Sequence, residues 1–237
     1  MMTSNTATHH RLFYRQPAPT WMEGLPIGTG RLAAMVLGGV KCERLALNHE
    51  WLWTGINRAR DNAKNAHMLP EVREKLLAGD YEAGTRLGNE AFGGPGGRSS
   101  QPARVDSYQP AGDLYVEFNH NAWSSYERSL DLSTGEATVT FCADGKTFHR
   151  EYMAHLGEDL ILVRYHCDGA PFSCTLWLDR ISDPDCEIAH EAGSTTLAMS
   201  GDIHNGISFR VEAAVTTKGG TQRIDDRSRL LVENANE

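Results

Sequence analysis

At 237 residues, with 40% hydrophobic and 23% charged side chains, the chain has the composition of an ordinary folded protein and the length of one large domain or two small ones. Its 31 acidic residues outnumber 23 basic ones, and a net charge of −8 lacks the electrostatic footprint of a phosphate-backbone binder, so no nucleic-acid partner is expected. The longest apolar stretch, near Leu32 to Val40, runs about nine residues against the roughly 18 that cross a bilayer, so no membrane span is expected.

Met1 to His10 is polar and reads as a disordered start. It has neither the basic opening nor the apolar middle of a secretory leader, which makes the cytoplasm the expected location, with a secreted protein whose leader was trimmed as the alternative. Leu12-Phe13-Tyr14, Arg31 to Gly39 and Arg44 to Asn48 are short apolar runs set off by Pro and Gly, predicting three early strands. Leu69, Val72, Leu76, Leu77, Tyr81 and Ala83 then fall at helical spacing, and Pro70 suits a first turn, predicting one or two short helices between residues 70 and 88. Phe92 to Pro102 is too rich in Gly and Pro for regular structure and reads as a long surface loop.

From Gly112 onward strand signals recur every 8–12 residues or so, the rhythm of a β-sandwich. They are Asp113–Phe118, Ala137–Cys142, Lys146–Met153, Leu160–His166, Phe172–Leu178, Ser194–Met199, Ile207–Val215, Gly220–Ile224 and Ser228–Val232. Asp144-Gly145 marks a hairpin between the second and third of these. The final run meets Glu233-Asn234-Ala235-Asn236-Glu237 without a closing element, so a domain truncated at its C-terminal end is expected.

Few residues read as chemistry. Gly28-Thr29-Gly30-Arg31-Leu32-Ala33 has the letters of a dinucleotide fingerprint, but Pro26 upstream and Gly38-Gly39 downstream deny it the strand and helix it requires, leaving a strand-to-strand turn. The ten histidines show no metal-ligand spacing, and no G-x-S-x-G elbow appears. Five cysteines, an odd number without a C-x-x-C pair, read as reduced and mostly buried thiols. No metal and no cofactor is therefore expected. Glycoside hydrolysis needs two carboxyl groups facing across a sugar, and Glu23, Glu50, Asp113, Asp179 and Asp202 are the acidic candidates, although carboxylates on a sandwich are ordinarily solvated. Trp51-Leu52-Trp53, after Asn48 and Glu50, is the most suggestive local feature, because indole faces stack on sugar rings while amide and carboxylate groups bond hydroxyls. The competing reading is a tryptophan anchor that packs this domain on a neighbour.

Two segments stand out in order, Trp21-Met22-Glu23-Gly24-Leu25-Pro26-Ile27-Gly28-Thr29-Gly30-Arg31-Leu32 and Leu47-Asn48-His49-Glu50-Trp51-Leu52-Trp53-Thr54-Gly55. They resemble the W-x-E-A-L-P-I-G-N-G-R-L opening and the L-N-E-D-T-L-W-S-G of family 95 glycoside hydrolases, the α-L-fucosidase type. The resemblance continues through Leu69–Arg73, Tyr108–Leu114 and Tyr126–Leu132. Thr29 stands where the family has Asn, and His49-Glu50-Trp51 replaces Glu-Asp-Thr, so sugar contacts at those positions are not carried over.

The resemblance implies a mainly β fold over residues 11–237, a large antiparallel β-sandwich of the supersandwich, galactose-mutarotase-like kind. In such enzymes it is joined to an (α/α)6 barrel in which a Glu acts as general acid and an Asp-assisted, Asn-oriented water inverts the anomeric carbon. No barrel and no counterpart of those catalytic residues is found here, so the catalytic set of this chain is read as empty. The expected role is an accessory domain of a hydrolase acting on terminal α-L-fucosyl or related α-L-galactosyl residues, inactive alone. Its expected partners are the helical-barrel domain of the same protein and the glycan. Asn48, Glu50, Trp51 and Trp53, together with the loop from Gly93 to Pro102, are the expected contacts at the rim of the neighbouring active site. A free-standing carbohydrate-binding module, which needs a row of exposed aromatics on one sheet face, and a structural domain forming an oligomer through an apolar patch are the competing readings.

Overall fold

The computed structural model describes residues 10–55, 63–92, 107–120, 122–204 and 206–237. In chain order the strands are β1 (Arg11–Tyr14), β2 (Leu25–Gly28), β3 (Leu32–Val36), β4 (Cys42–His49), β5 (Gly112–Phe118), β6 (Trp123–Asp131), β7 (Ala137–Ala143) and β8 (Lys146–His155). They continue as β9 (Leu160–Cys167), β10 (Phe172–Asp179), β11 (Cys186–Gly193), β12 (Thr196–Ile203), β13 (Ser208–Ala214), β14 (Thr221–Ile224) and β15 (Leu230–Ala235). Between β4 and β5 lie two helices, α1 (Leu69–Leu77) and α2 (Tyr81–Phe92). The chain is mainly β, as expected, and divides into two compact units: the described residues up to Trp53 with Tyr108–Glu237, and the segment Thr54–Ser107.

In the helical unit, Pro70 sits in the first turn of α1, where its missing N–H costs nothing. The Asp80 carboxylate accepts from the Ala83 N–H at 3.1 Å, the geometry of a capping aspartate, and starts α2. Val72 and Ala91 are the buried apolar residues of this pair.

The β unit contains a seven-stranded sheet in the order β14-β15-β10-β5-β4-β3-β2, a five-stranded sheet β1-β6-β7-β8-β9 and a three-stranded sheet β11-β12-β13, all antiparallel. Alternation places Leu45, Leu47, Val116, Leu176 and Leu178 on the inner face of the seven-stranded sheet. There they share one core with Val139, Phe141 and Tyr152 of the five-stranded sheet and Leu197 and Met199 of the three-stranded one. Asp144 and Gly145 turn β7 into β8 with both φ positive, at 51° and 76°, which is why an Asp-Gly pair closes that two-residue hairpin.

Three strands escape the sequence signals, each for a physical reason. β2 carries Pro26, which a central strand excludes, but β2 is the edge of its sheet, where a missing donor is tolerated. The alternation of β6 is broken by a bulge between Ser124 and Glu127 and by Arg128, a buried arginine. Arg128 keeps its charge inside by donating to the carbonyls of Gln16 (2.9 Å) and Glu23 (2.7 Å) and lying over the Tyr14 ring. β11 is an edge strand whose consecutive Ala189, His190 and Glu191 are all exposed, so it lacks an apolar period. The last strand also runs further than expected: β15 reaches Ala235 and is paired on both sides, by β10 and β14. The Gly28-Gly30 segment is the strand-to-strand turn expected, joining β2 to β3.

A buried ion pair links the two larger sheets. Glu43 on β4 and Arg150 on β8 are 0% and 1% exposed and meet at 3.2 Å. The Arg150 guanidinium also donates to the carbonyls of Gly39 (2.6 Å) and Val40 (2.9 Å) and packs against the rings of Phe118 and Phe141. The Glu43 carboxylate accepts from the Tyr152 hydroxyl (2.6 Å) and from the N–H groups of Gly38 (2.7 Å) and Arg44 (3.0 Å). One network thus joins both sheets and fixes the loop between β3 and β4.

Candidate functional site

The Trp-Leu-Trp segment lies at the end of β4. Pairing with the β3 side persists one residue beyond the strand, where the Glu50 N–H donates to the Arg31 carbonyl at 2.9 Å, and the chain then turns as the Leu52 N–H reaches back to the His49 carbonyl at 3.1 Å. Leu52, 3% exposed, is the apolar anchor of this turn. Its two neighbours are consequently left outside: Trp51 is 64% and Trp53 44% exposed. Neither indole belongs to the core of the sandwich.

Both indoles are held. The Trp53 ring N–H donates to the Glu50 carbonyl at 2.8 Å, and its ring meets Tyr108 edge-to-face with ring centres 5.0 Å apart. The Tyr108 hydroxyl donates to the His49 carbonyl at 3.0 Å, and the next residue, Gln109, donates its N–H to the Leu52 carbonyl at 2.8 Å. Trp51 packs edge-on against His49 at 5.5 Å, and its backbone N–H donates to the His49 Nδ1 at 3.3 Å. Partial burial, and secondarily the Glu50 charge, push the Tyr108 hydroxyl above its ordinary pKa, so it remains a neutral donor. The result is two aromatic pairs at one turn, exposed Trp53 with Tyr108 and exposed Trp51 with His49, whose rings can stack on a sugar ring and whose polar atoms can bond its hydroxyls.

Of the expected residues, Glu50, Trp51 and Trp53 come together. Asn48 does not join them in the same way: it lies on the face of β4 opposite to the buried Leu47, and so on the outer face of its sheet. His49 and Tyr108 are additional members. The Tyr108–Leu114 segment was a legible signal for Tyr108; the pairing itself, across 59 residues, was not. The expected loop contact from Gly93 to Pro102 lies outside the described residues.

Beside the cluster, Thr29 of the β2–β3 turn donates its hydroxyl to the Asp159 carboxylate, which also faces the Arg31 guanidinium at 3.5 Å. The Thr29 hydrogen bond first, then the Arg31 charge, holds the Asp159 carboxyl below the usual range. A depressed carboxylate pKa contributes stability above its unfolded value that is lost as pH falls through the folded value. Thr29→Val should therefore raise the Asp159 pKa toward the ordinary range, read by NMR titration of its carboxyl carbon. An unchanged titration would mean the threonine does not set it.

The candidate carboxylates lie on separate elements. Glu23 lies in the short turn Trp21–Glu23 and Asp202 on β12, where it accepts from the Ser208 hydroxyl. Asp113 and Asp179 stand opposite each other on β5 and β10, but Asp113 is occupied by Arg44 at 2.9 Å and by the Tyr115 hydroxyl at 3.2 Å. Among the described residues no group of three or more His, Cys, Asp or Glu side chains is placed to hold a metal ion.

Comparison with known proteins identifies the family. The family described as glycosyl hydrolase family 65, N-terminal domain, matches residues 12–237. The chain is 34% identical over 160 residues to a protein named Alpha-L-fucosidase 2 from Arabidopsis thaliana, covering 66% of this chain and 18% of that protein. It is 25% identical over 188 residues to Probable alpha-fucosidase A of Aspergillus oryzae, covering 75% of this chain and 24% of that protein. A protein of the same name from Aspergillus niger is 22% identical over 210 residues, covering 84% and 25%. The chain thus spans 18–25% of the length of these relatives. A match across residues 12–237, on a mainly antiparallel β fold, places the chain in the N-terminal domain family of glycosyl hydrolase family 65 type, which the N-terminal domains of family 95 share.

Proposed function

We propose that this chain is the accessory β-sandwich domain of an inverting glycoside hydrolase that removes terminal α-L-fucosyl or related α-L-galactosyl residues, with catalysis supplied by a helical-barrel domain of the same protein. The similarity to a protein named Alpha-L-fucosidase 2, over two thirds of this chain and under one fifth of that protein, is the observation that carries the reading. The engagement of Asp113 with Arg44 and Tyr115, and the scatter of the other acidic candidates, fit a domain without its own catalytic pair.

In this reading Glu50, Trp51 and Trp53 meet the glycan or the catalytic domain at the rim of the active site, while Asn48 contributes from the adjoining outer face. Two exposed indoles, Trp53 held by a hydrogen bond and a ring contact and Trp51 by its edge contact with His49, lose little freedom on binding, which favours such a role. The reading as a free-standing carbohydrate-binding module has less support: on the outer face of the seven-stranded sheet Tyr115 and Trp177 stack on each other at 5.1 Å, so each covers one ring face of the other.

Trp51→Ala with Trp53→Ala in the full-length protein should reduce kcat/KM toward an α-L-fucoside about tenfold, the effect of roughly 1.4 kcal/mol of lost aromatic contact, while the melting temperature changes little. Unchanged kinetics in a folded variant would remove the rim role.

A further inference from the structure

The inner face of the seven-stranded sheet is roofed by two separate sheets, and there is a gap between them. Along one side of the gap runs β9, outermost in the five-stranded sheet, and along the other runs β13, outermost in the three-stranded sheet. Among the described residues β9 pairs with β8 alone and β13 with β12 alone. Both strands contribute consecutive residues, Leu160 to Val163 and Val211 to Ala214, to a single cleft of about 620 Å³. A strand seen face-on lines a cavity with alternate residues, so consecutive lining means that the backbone edges of both strands face the cleft.

The floor of the cleft is apolar, built from Leu45, Leu47, Leu114, Leu176 and Leu178. Its walls also carry inward-pointing side chains that lack a covering neighbour. Val163 stands in register with the fully buried Tyr152, on the inner side of its sheet, yet is 36% exposed. Val211 and Ala213 on β13 alternate inward and are likewise only half-buried.

Two unpaired strand edges above a leucine floor ask for backbone donors and acceptors in line with alternating apolar side chains. A sugar offers hydroxyls without the apolar side chains. An extended polypeptide offers both, in the mode of strand addition to a sheet edge. We infer that this cleft receives a β-strand with apolar side chains at alternate positions, supplied by polypeptide that follows residue 237 in the full-length protein and pairing with β9, β13 or both. The inference rests on the reading of this chain as one part of a longer glycosidase. The relatives supply the length, since the matched region is 18–25% of each and the family is an N-terminal domain. Ala235 and Glu237 already line the cleft, and the Glu237 carboxylate holds Arg164 of β9 at 2.9 Å, so a segment continuing from them reaches it without crossing the sandwich.

Hydrogen exchange on the full-length protein tests this, with β14, outermost in its sheet among the described residues, and β4, a central strand, as internal standards. The expected result is that amides in Leu160–Val163 and Val211–Ala214 include a set protected like those of β4 that exchanges rapidly in residues 1–237 alone. Exchange at the rate of β14 in the full-length protein would overturn the inference, and so would equal protection in both chains, which would assign the cover to a second copy. Val163→Lys adds a second reading: it should lower the melting temperature of the full-length protein by several degrees and leave residues 1–237 nearly unchanged. Equal shifts in both would count against an added strand. Hydrolysis is read separately, so an inactive protein with protected edges refutes only the functional reading, and an active one with freely exchanging edges refutes only this inference.

Discussion

Glu43→Ala is expected to cost about 3–5 kcal/mol of stability, the usual consequence of leaving one member of a buried ion pair without its partner. Against the 5–15 kcal/mol or so that holds an ordinary domain together, that is a large share, and at the low end of the range it brings the domain close to its unfolding midpoint. The guanidinium of Arg150 would remain inside with two carbonyl acceptors and aromatic faces, but without a countercharge. Tyr152 and the N–H groups of Gly38 and Arg44 would lose their acceptor in the same step. Glu43→Gln keeps the volume and an acceptor oxygen and should cost less, which separates the charge from the shape. Urea unfolding of the three proteins makes the comparison. A loss below about 1 kcal/mol for Glu43→Ala would show that water or a shifted side chain satisfies Arg150, and that the pair does not join the sheets energetically.

The second large effect is expected at Gly39. A methyl group there would sit 2.0 Å from the Cys42 carbonyl oxygen, a backbone atom. The loop cannot easily yield, because the Gly39 carbonyl is bound by Arg150 and the preceding Gly38 by both Glu43 and the Tyr126 hydroxyl. Gly39→Ala should therefore cost on the order of 2–3 kcal/mol, as the clash displaces the loop and weakens the buried ion pair. Because the two effects share one network, Gly39→Ala in the Glu43→Ala background should cost less than it does alone. Strict additivity, in denaturant titrations of the four proteins, would mean that loop and ion pair are independent.

Such coupling was not legible in the sequence. Glu43 and Arg150 are 107 positions apart, and each reads as one more charged residue on a strand. The hairpin at Asp144-Gly145 and the helix start at Pro70 were legible because turn and helix-entry chemistry is local. β2, β6 and β11 were hidden where tertiary position overrides local preference, as in an edge strand that tolerates Pro26 or a bulged strand that buries Arg128. At the candidate site, the exposure of Trp51 and Trp53 follows from Leu52 taking the inward position of their shared turn, which the sequence reading did not assign. The orientation of Trp53 by Tyr108 depends on a bridge between two residues far apart in the sequence, and no spacing rule anticipates it.

The reading of this domain as an accessory to catalysis elsewhere is tested most directly by hydrolysis of an aryl α-L-fucoside, comparing purified residues 1–237 with the full-length protein under the same conditions. The account predicts release of the aryl group by the full-length protein and none above background from residues 1–237. Hydrolysis by residues 1–237 alone would contradict it, and would return attention to Glu23, Glu50 and the Asp113–Asp179 pair as carriers of the chemistry.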